Sequence, residues 1–198
     1  MTFDVRRDGD PVAAAHDILG AKAPSPAARA LQVALSAWGY DFHNPANVAR
    51  SNDVLVRQRV AGWIRDAANA VDELERSYAR ERVPPATKEQ PFPHPDIARS
   101  IRAIRGLRDS LQSLAARVDT LAVPAGDRIW NRFSRESELL KALVVADVAL
   151  LAYAQTLRTA TLQLAVESVE RAVPFAELYT ILQQIDEQLR CRADVLLV

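Results

Sequence analysis

The run ALVVADVALLAYA, Ala142 to Ala154, puts apolar residues on almost every side of a helix and sets one carboxylate, Asp147, among them. A helix of that kind holds in water only if other elements cover it from several directions. Successive residues turn by about 100°, which sorts the segment into three rows. Leu139, Leu143, Ala146, Leu150, Tyr153 and Leu157 form one row, and Leu140, Val144, Asp147, Leu151 and Ala154 a second. The remaining arc, Val145, Val148, Ala149 and Ala152, is apolar too, so it must be wrapped by the chain's own helices or by a second subunit.

The rest of the 198 residues offers the covers. Val56, Val60, Trp63, Ala67, Val71, Leu74 and Tyr78 recur at four and three, the spacing of an amphipathic helix from about Asn52 to Arg82. Ile104, Leu107, Leu111, Leu114, Val118 and Leu121 form a heptad seam on a helix opened by Pro95 and Asp96. Leu178, Ile181, Leu182, Ile185 and Leu189 mark a last helix, started at Pro174 and ending near Leu196. Asp10 with Pro11, and Ser25 with Pro26, are N-cap and first-turn pairs, predicting helices over 11–19 and 26–38. Residues 39–51 read as a connector. Residues 127–172 form one long helix or two, with a break near Ser134, and Pro174 stops it. Between the first and second of these stripes, Val83 to Pro95 holds five prolines and is expected to be extended, with polyproline character, and to act as a hinge. The expected fold is all-α: an elongated antiparallel bundle of five to six helices with its long central helix within 127–172. An N-terminal arm, 1–24, precedes a single domain, 25–198.

A single cysteine, Cys191, excludes an intramolecular disulfide and favours a reducing compartment, hence the cytoplasm. The N-terminal residues lack the apolar stretch of a secretory signal, and Ala142–Ala154 is shorter than the ~20 residues that span a bilayer. A soluble protein without a membrane partner is expected. Formal net charge is zero, which argues against a polyanion binder acting with its whole surface. The charge is segregated, however: residues 97–135 carry eight arginines and three acids, and residues 136–189 carry eight acids and three basic residues. Adjacent segments of opposite sign suggest neighbouring antiparallel helices that complement each other.

Chemistry-bearing motifs are sparse. Asp147 is a candidate for a buried ion pair, most naturally with an arginine of the basic helix, because an unpaired buried carboxylate costs several kcal/mol. Arg99, Arg102, Arg105 and Arg108 recur every third residue and, extended by Arg128, Arg132 and Arg135, could follow phosphates; a nucleic-acid-associated protein is one alternative. A ligand-binding or enzymatic bundle centred on Asp147 and the aromatics Trp38, Tyr40, Phe42, Trp63, Trp130 and Phe133 is another. His16, His43 and His94 fit no metal-ligand spacing, His94 suiting a helix cap instead, and no phosphate loop or nucleophile elbow occurs, so neither metal nor cofactor is expected. Cys191, between Arg190 and Arg192, reads as an ordinary packed or surface residue. The strongest signals are the heptad seams and surplus apolar helix surface. They suit a non-enzymatic interaction or assembly protein, a homodimer or the partner of another protein, binding through Leu107, Leu111, Leu114 and Val118 and through Val145, Val148 and Ala152.

Overall fold

Prolines set where many of the helices begin. The structure is a computed structural model that describes residue 5 and residues 9–20, 26–37, 45–121 and 136–197. Among the described residues there are seven helices and no strand: α1 (Pro11–Gly20), α2 (Pro26–Ala37), α3 (Pro45–Arg82), α4 (Pro95–Asp119), α5 (Glu136–Leu162), the single turn α6 (Val166–Val169) and α7 (Ala172–Leu197). Four of them start on a proline, whose fixed φ suits the first turn and whose missing N–H is not needed there. Gly9, at φ +95°, turns the chain into α1, and the Asp10 carboxylate caps it by accepting from the Val12 N–H at 3.0 Å. His94 caps α4 through Nδ1, which accepts from the Asp96 N–H at 3.4 Å.

Two boundaries differ from expectation. Helix α3 begins at Pro45, so the second half of the expected 39–51 connector is helical, and α3 reaches 38 residues, ~57 Å at 1.5 Å per residue. Helix α5 ends at Leu162, well before Pro174. Here the Thr161 hydroxyl donates back to the carbonyls of Leu157 and Arg158, and the Leu164 N–H closes a tight turn onto the Thr161 carbonyl. The Ser168 hydroxyl then accepts from the Ala165 N–H and starts α6, while Pro174 is accommodated in the first turn of α7.

Ion pairs fix the topology. Arg65 with Asp119, Glu75 with Arg105 and Asp72 with Arg108 show that positions rise along α3 as they fall along α4, so this pair is antiparallel. Asp147 with Arg192 does the same for α5 and α7 when taken with the groove that brings Thr156 beside Ile181. By contrast α3 and α5 run parallel, with Asp66 on Arg158 and Arg82 on Glu170. So do α4 and α7, through Arg117 on Asp186. The elongated bundle is thus two antiparallel hairpins laid side by side, with α3 against α5 and a lighter contact between α4 and α7. Consecutive α4 and α5 make at most marginal contact. Among the described residues the expected complementarity between the basic and acidic segments is confined to Arg117 and Asp186, and α4 finds its acids on α3.

Helix α5 is the core. Leu143 to Leu157, fifteen consecutive residues, are all buried. The third arc is closed within one chain: Val148, Ala149 and Ala152 are fully buried, Val145 nearly so, and α1 packs on α5 with Ala14 and Ala15 in the core. The Val5 N–H donates to Thr156 Oγ1 at 3.3 Å and ties the N-terminal arm to the same helix. A second subunit is therefore not needed to cover α5. Ala142–Leu162 is long and apolar enough by composition to cross a membrane, a longer stretch than the run Ala142–Ala154 alone, but most of it is buried inside the bundle.

Burial of this quality makes core truncations costly. Leu111→Ala, on the α4 seam at zero exposure, is expected to lower stability by about 2–5 kcal/mol. Leu162→Ala, at 57% exposure, should change it by no more than ~0.5 kcal/mol. Urea unfolding of the two variants beside the parent protein checks this pair of outcomes.

Candidate functional site

The apolar stripe of α7 steps from Ile185 to Leu189 and, three residues on, to Arg192, so the guanidinium enters the core on the face that these two side chains define. Its Nε donates to Asp147 Oδ1 at 2.9 Å, with both side chains 3% exposed or less. The partner of Asp147 therefore comes from the last helix and not, as the charge pattern suggested, from the basic one. The signal for it lies in the sequence as an arginine in phase with an apolar stripe. Burial pushes the Asp147 carboxyl up to about 8, against the opposing pull of the Arg57 charge on α3. An Nε–H can donate to a carboxylate or to the carbonyl of a carboxylic acid, so the hydrogen bond persists in either state. Arg57 itself donates to the Leu121 carbonyl at 3.1 Å, closing the C-terminal end of α4. Sealed from solvent, the Asp147–Arg192 pair is suited to holding α5 and α7 in register rather than to meeting a substrate.

Of the nearby polar groups, Thr156 is engaged internally, whereas the buried Gln155 Oε1 meets no hydrogen-bond donor among the described residues. Thr156 Oγ1 donates to the Ala152 carbonyl at 3.0 Å while accepting from Val5. Burial pushes the Tyr153 phenol up, and the charges of Asp10 and Glu187 add to the shift.

The arginine row of α4 is likewise engaged within the fold. Arg108 reaches Glu75 at 3.1 Å, Asp72 at 3.4 Å and Asp109 at 3.0 Å; Arg105 meets Glu75 at 2.6 Å and Arg99 meets Asp96 at 2.9 Å. Arg102 donates to the Ala98 carbonyl. Arg128, Arg132 and Arg135 lie outside the described residues. A phosphate backbone would have to compete with the carboxylates of α3 for Arg105 and Arg108.

The residues expected to bind a partner are not on the surface. Leu107, Leu111, Leu114, Val118, Val145, Val148 and Ala152 are all buried in the chain's own core, where the α3–α4 seam and the wrapping of α5 consume the apolar area that the heptads advertised. Among the described residues no group of three potential metal ligands comes together, and His94 serves as a cap. Cys191 is exposed while its neighbour Arg192 turns inward. Trp63 is half-buried on α3 with the Arg59 guanidinium 5.9 Å from its ring centroid. Trp38, Tyr40, Phe42, Trp130, Phe133 and His43 lie outside the described residues.

One end of the bundle differs from the rest. It is formed where α3 and α5 stop and where α4 and α7 start. Phe92, between Pro91 and Pro93 of the 83–94 loop, is 83% exposed, and Leu162, the last residue of α5, 57%; Tyr179, two turns into α7, is 40% exposed and lies instead beside Gly106 in the groove between α4 and α7. Only Val33 on α2 joins them among the large exposed apolar side chains of the described residues. The loop is extended apart from a turn in which the Thr87 N–H donates to the Gln90 carbonyl and the Gln90 N–H to Thr87 Oγ1. Reading the sequence as helix faces alone missed this end, because Phe92 lies in a proline-rich segment and Leu162 is apolar at a helix terminus whose position the sequence did not reveal. No family model matches the chain, and no curated protein or solved structure was found to be similar to it.

Because burial raises the Asp147 pKa in the folded state, its contribution to stability is full below about pH 4 and is lost as pH rises through about 8. Asp147→Asn still accepts from Arg192 but cannot titrate, so this decline should vanish from its stability–pH profile. Asp147→Leu takes this acceptor away from a buried guanidinium, at a cost of about 3–5 kcal/mol. Urea unfolding between pH 4 and 8 reads both; an unaltered slope in the Asn variant would contradict the assignment.

Proposed function

We propose that this chain is a non-enzymatic interaction or assembly protein, a rigid helical bundle that binds a second copy or another protein through the end where α3 and α5 stop and α4 and α7 start. The observation carrying this reading is the exposure of Phe92 and Leu162 at that end. Leaving a phenylalanine or leucine side chain in water forgoes about 1.5–3 kcal/mol relative to burying it. Two such residues at one end, one of them in a proline-rich loop, have the makings of an anchor for a protein interface. The core contributes stiffness: Asp147, Arg192 and Thr156 are committed to contacts among α5, α7 and the N-terminal arm. The reading takes the protein as cytoplasmic, in keeping with its single cysteine.

Site-specific photo-crosslinking in the source cell provides the test. A crosslinker at position 92 or 162 is expected to give a discrete adduct with one partner, and a crosslinker at exposed Gln112 on α4 is expected to give none. Leu162→Ser should abolish the adduct formed from position 92 while leaving the unfolding midpoint within the range of ordinary surface substitutions. Absence of any adduct from positions 92 and 162 would overturn the proposal.

A further inference from the structure

Behind Leu162 a groove of about 490 Å³ runs between the C-terminal half of α3 and the α5–α6 turn. That volume falls within the roughly 300–1,000 Å³ of sites that receive a drug-sized group, enough for apolar side chains to enter. Its accessible apolar surface is formed by Leu162, Leu164 and Ala165, with Leu74 and Val166 buried beneath, and its charged lining residues are all acidic: Glu73, Glu81 and Glu167. Glu73 is neutralised by Arg76 and Arg80 on its own helix. Glu81 and Glu167 make no ion pair with any described residue, and no lysine or arginine lines the groove. Leu162, exposed at its edge, extends the apolar strip outward.

An apolar floor between two uncompensated carboxylates specifies its ligand more narrowly than either feature alone. A purely apolar segment would bury the carboxylates against nothing, and an acidic one would be repelled. We infer that the groove receives a cationic amphipathic helix of the partner protein, its leucine-like side chains against Leu162 and Leu164 and its arginines or lysines on Glu81 and Glu167. This is the helix-in-groove mode of recognition, in which apolar anchors one turn apart supply the burial and the flanking charges set orientation and on-rate. The inference rests on the reading that this end of the bundle binds a protein, and it adds the partner's chemistry and the residues that select it.

The test uses the full-length protein and a fluorescent synthetic amphipathic helix of leucine and arginine, followed by anisotropy. A matched peptide with glutamate in place of arginine is the control. The arginine peptide should bind and the glutamate peptide should not, and added salt should weaken the complex. Glu81→Gln with Glu167→Gln should raise Kd by about tenfold, Leu162→Ser should raise it measurably, and Glu187→Gln, on exposed α7 surface away from the groove, should leave it unchanged. No binding, binding insensitive to the Glu81 and Glu167 changes, or equal weakening by Glu187→Gln would each overturn the inference. In those cases persistent crosslinks from positions 92 and 162 would leave the broader reading of this end standing, whereas loss of the crosslinks removes that reading itself.

Discussion

A helix with no wet face sets the terms for the whole molecule. From Leu143 to Leu157 helix α5 exposes almost nothing, so α3, α7 and α1 are stationed around it by the cost of leaving any one arc in water. Within this apolar sleeve the Asp147–Arg192 pair supplies a strongly directional contact between α5 and α7. Leucines can slide against one another at modest cost, but a buried guanidinium has a single favourable position for its acceptor. The pair therefore contributes more to register than to net stability.

A second tier of contacts orients the outer hairpin. The α3–α4 seam is an apolar strip bordered by Arg65, Asp72, Glu75, Arg105, Arg108 and Asp119, each of which has its counter-charge across the seam. Exposed pairs of this kind contribute little individually, yet opposite signs in sequence along two antiparallel helices penalise a slip of one turn. Arg105 and Arg108 of α4 thus have their counter-charges within the fold. The same seam explains why the apparently surplus heptad surface leaves no partner face: Leu107, Leu111, Leu114 and Val118 already have one in α3.

Much of the architecture was legible because apolar periodicity reports burial directly. The stripes on α3, α4 and α7 and the apolar rows of α5 from Leu143 onward became the core, with Trp63 and Leu121 only partly covered; the side chains of Leu139 and Leu140 lie outside the described residues. What the sequence hid was non-local. Nothing in the charge totals reveals that α4 pairs with α3 and not α5, since that depends on how the two hairpins are laid together. Helix α5 stops without proline or glycine, through Thr161 and a turn stabilised by side-chain hydrogen bonds, so no composition signal marked Leu162 as a terminus. Arg192 stands in phase with Leu182, Ile185 and Leu189, but finding it meant treating an arginine as a core residue, which burial statistics discourage.

The Asp147–Arg192 pair thus sits inside the bundle, while the end where α3 and α5 stop carries a proline-rich loop, exposed apolar side chains and an acidic groove. Native-state hydrogen exchange measures the central claim most directly. If α5 is held from all sides, the amides of Leu143–Leu157 exchange only through global unfolding and are among the slowest in the protein. Their exchange through a lower-energy opening, with the α3–α4 pair still protected, would show that α5 detaches on its own and would contradict the account.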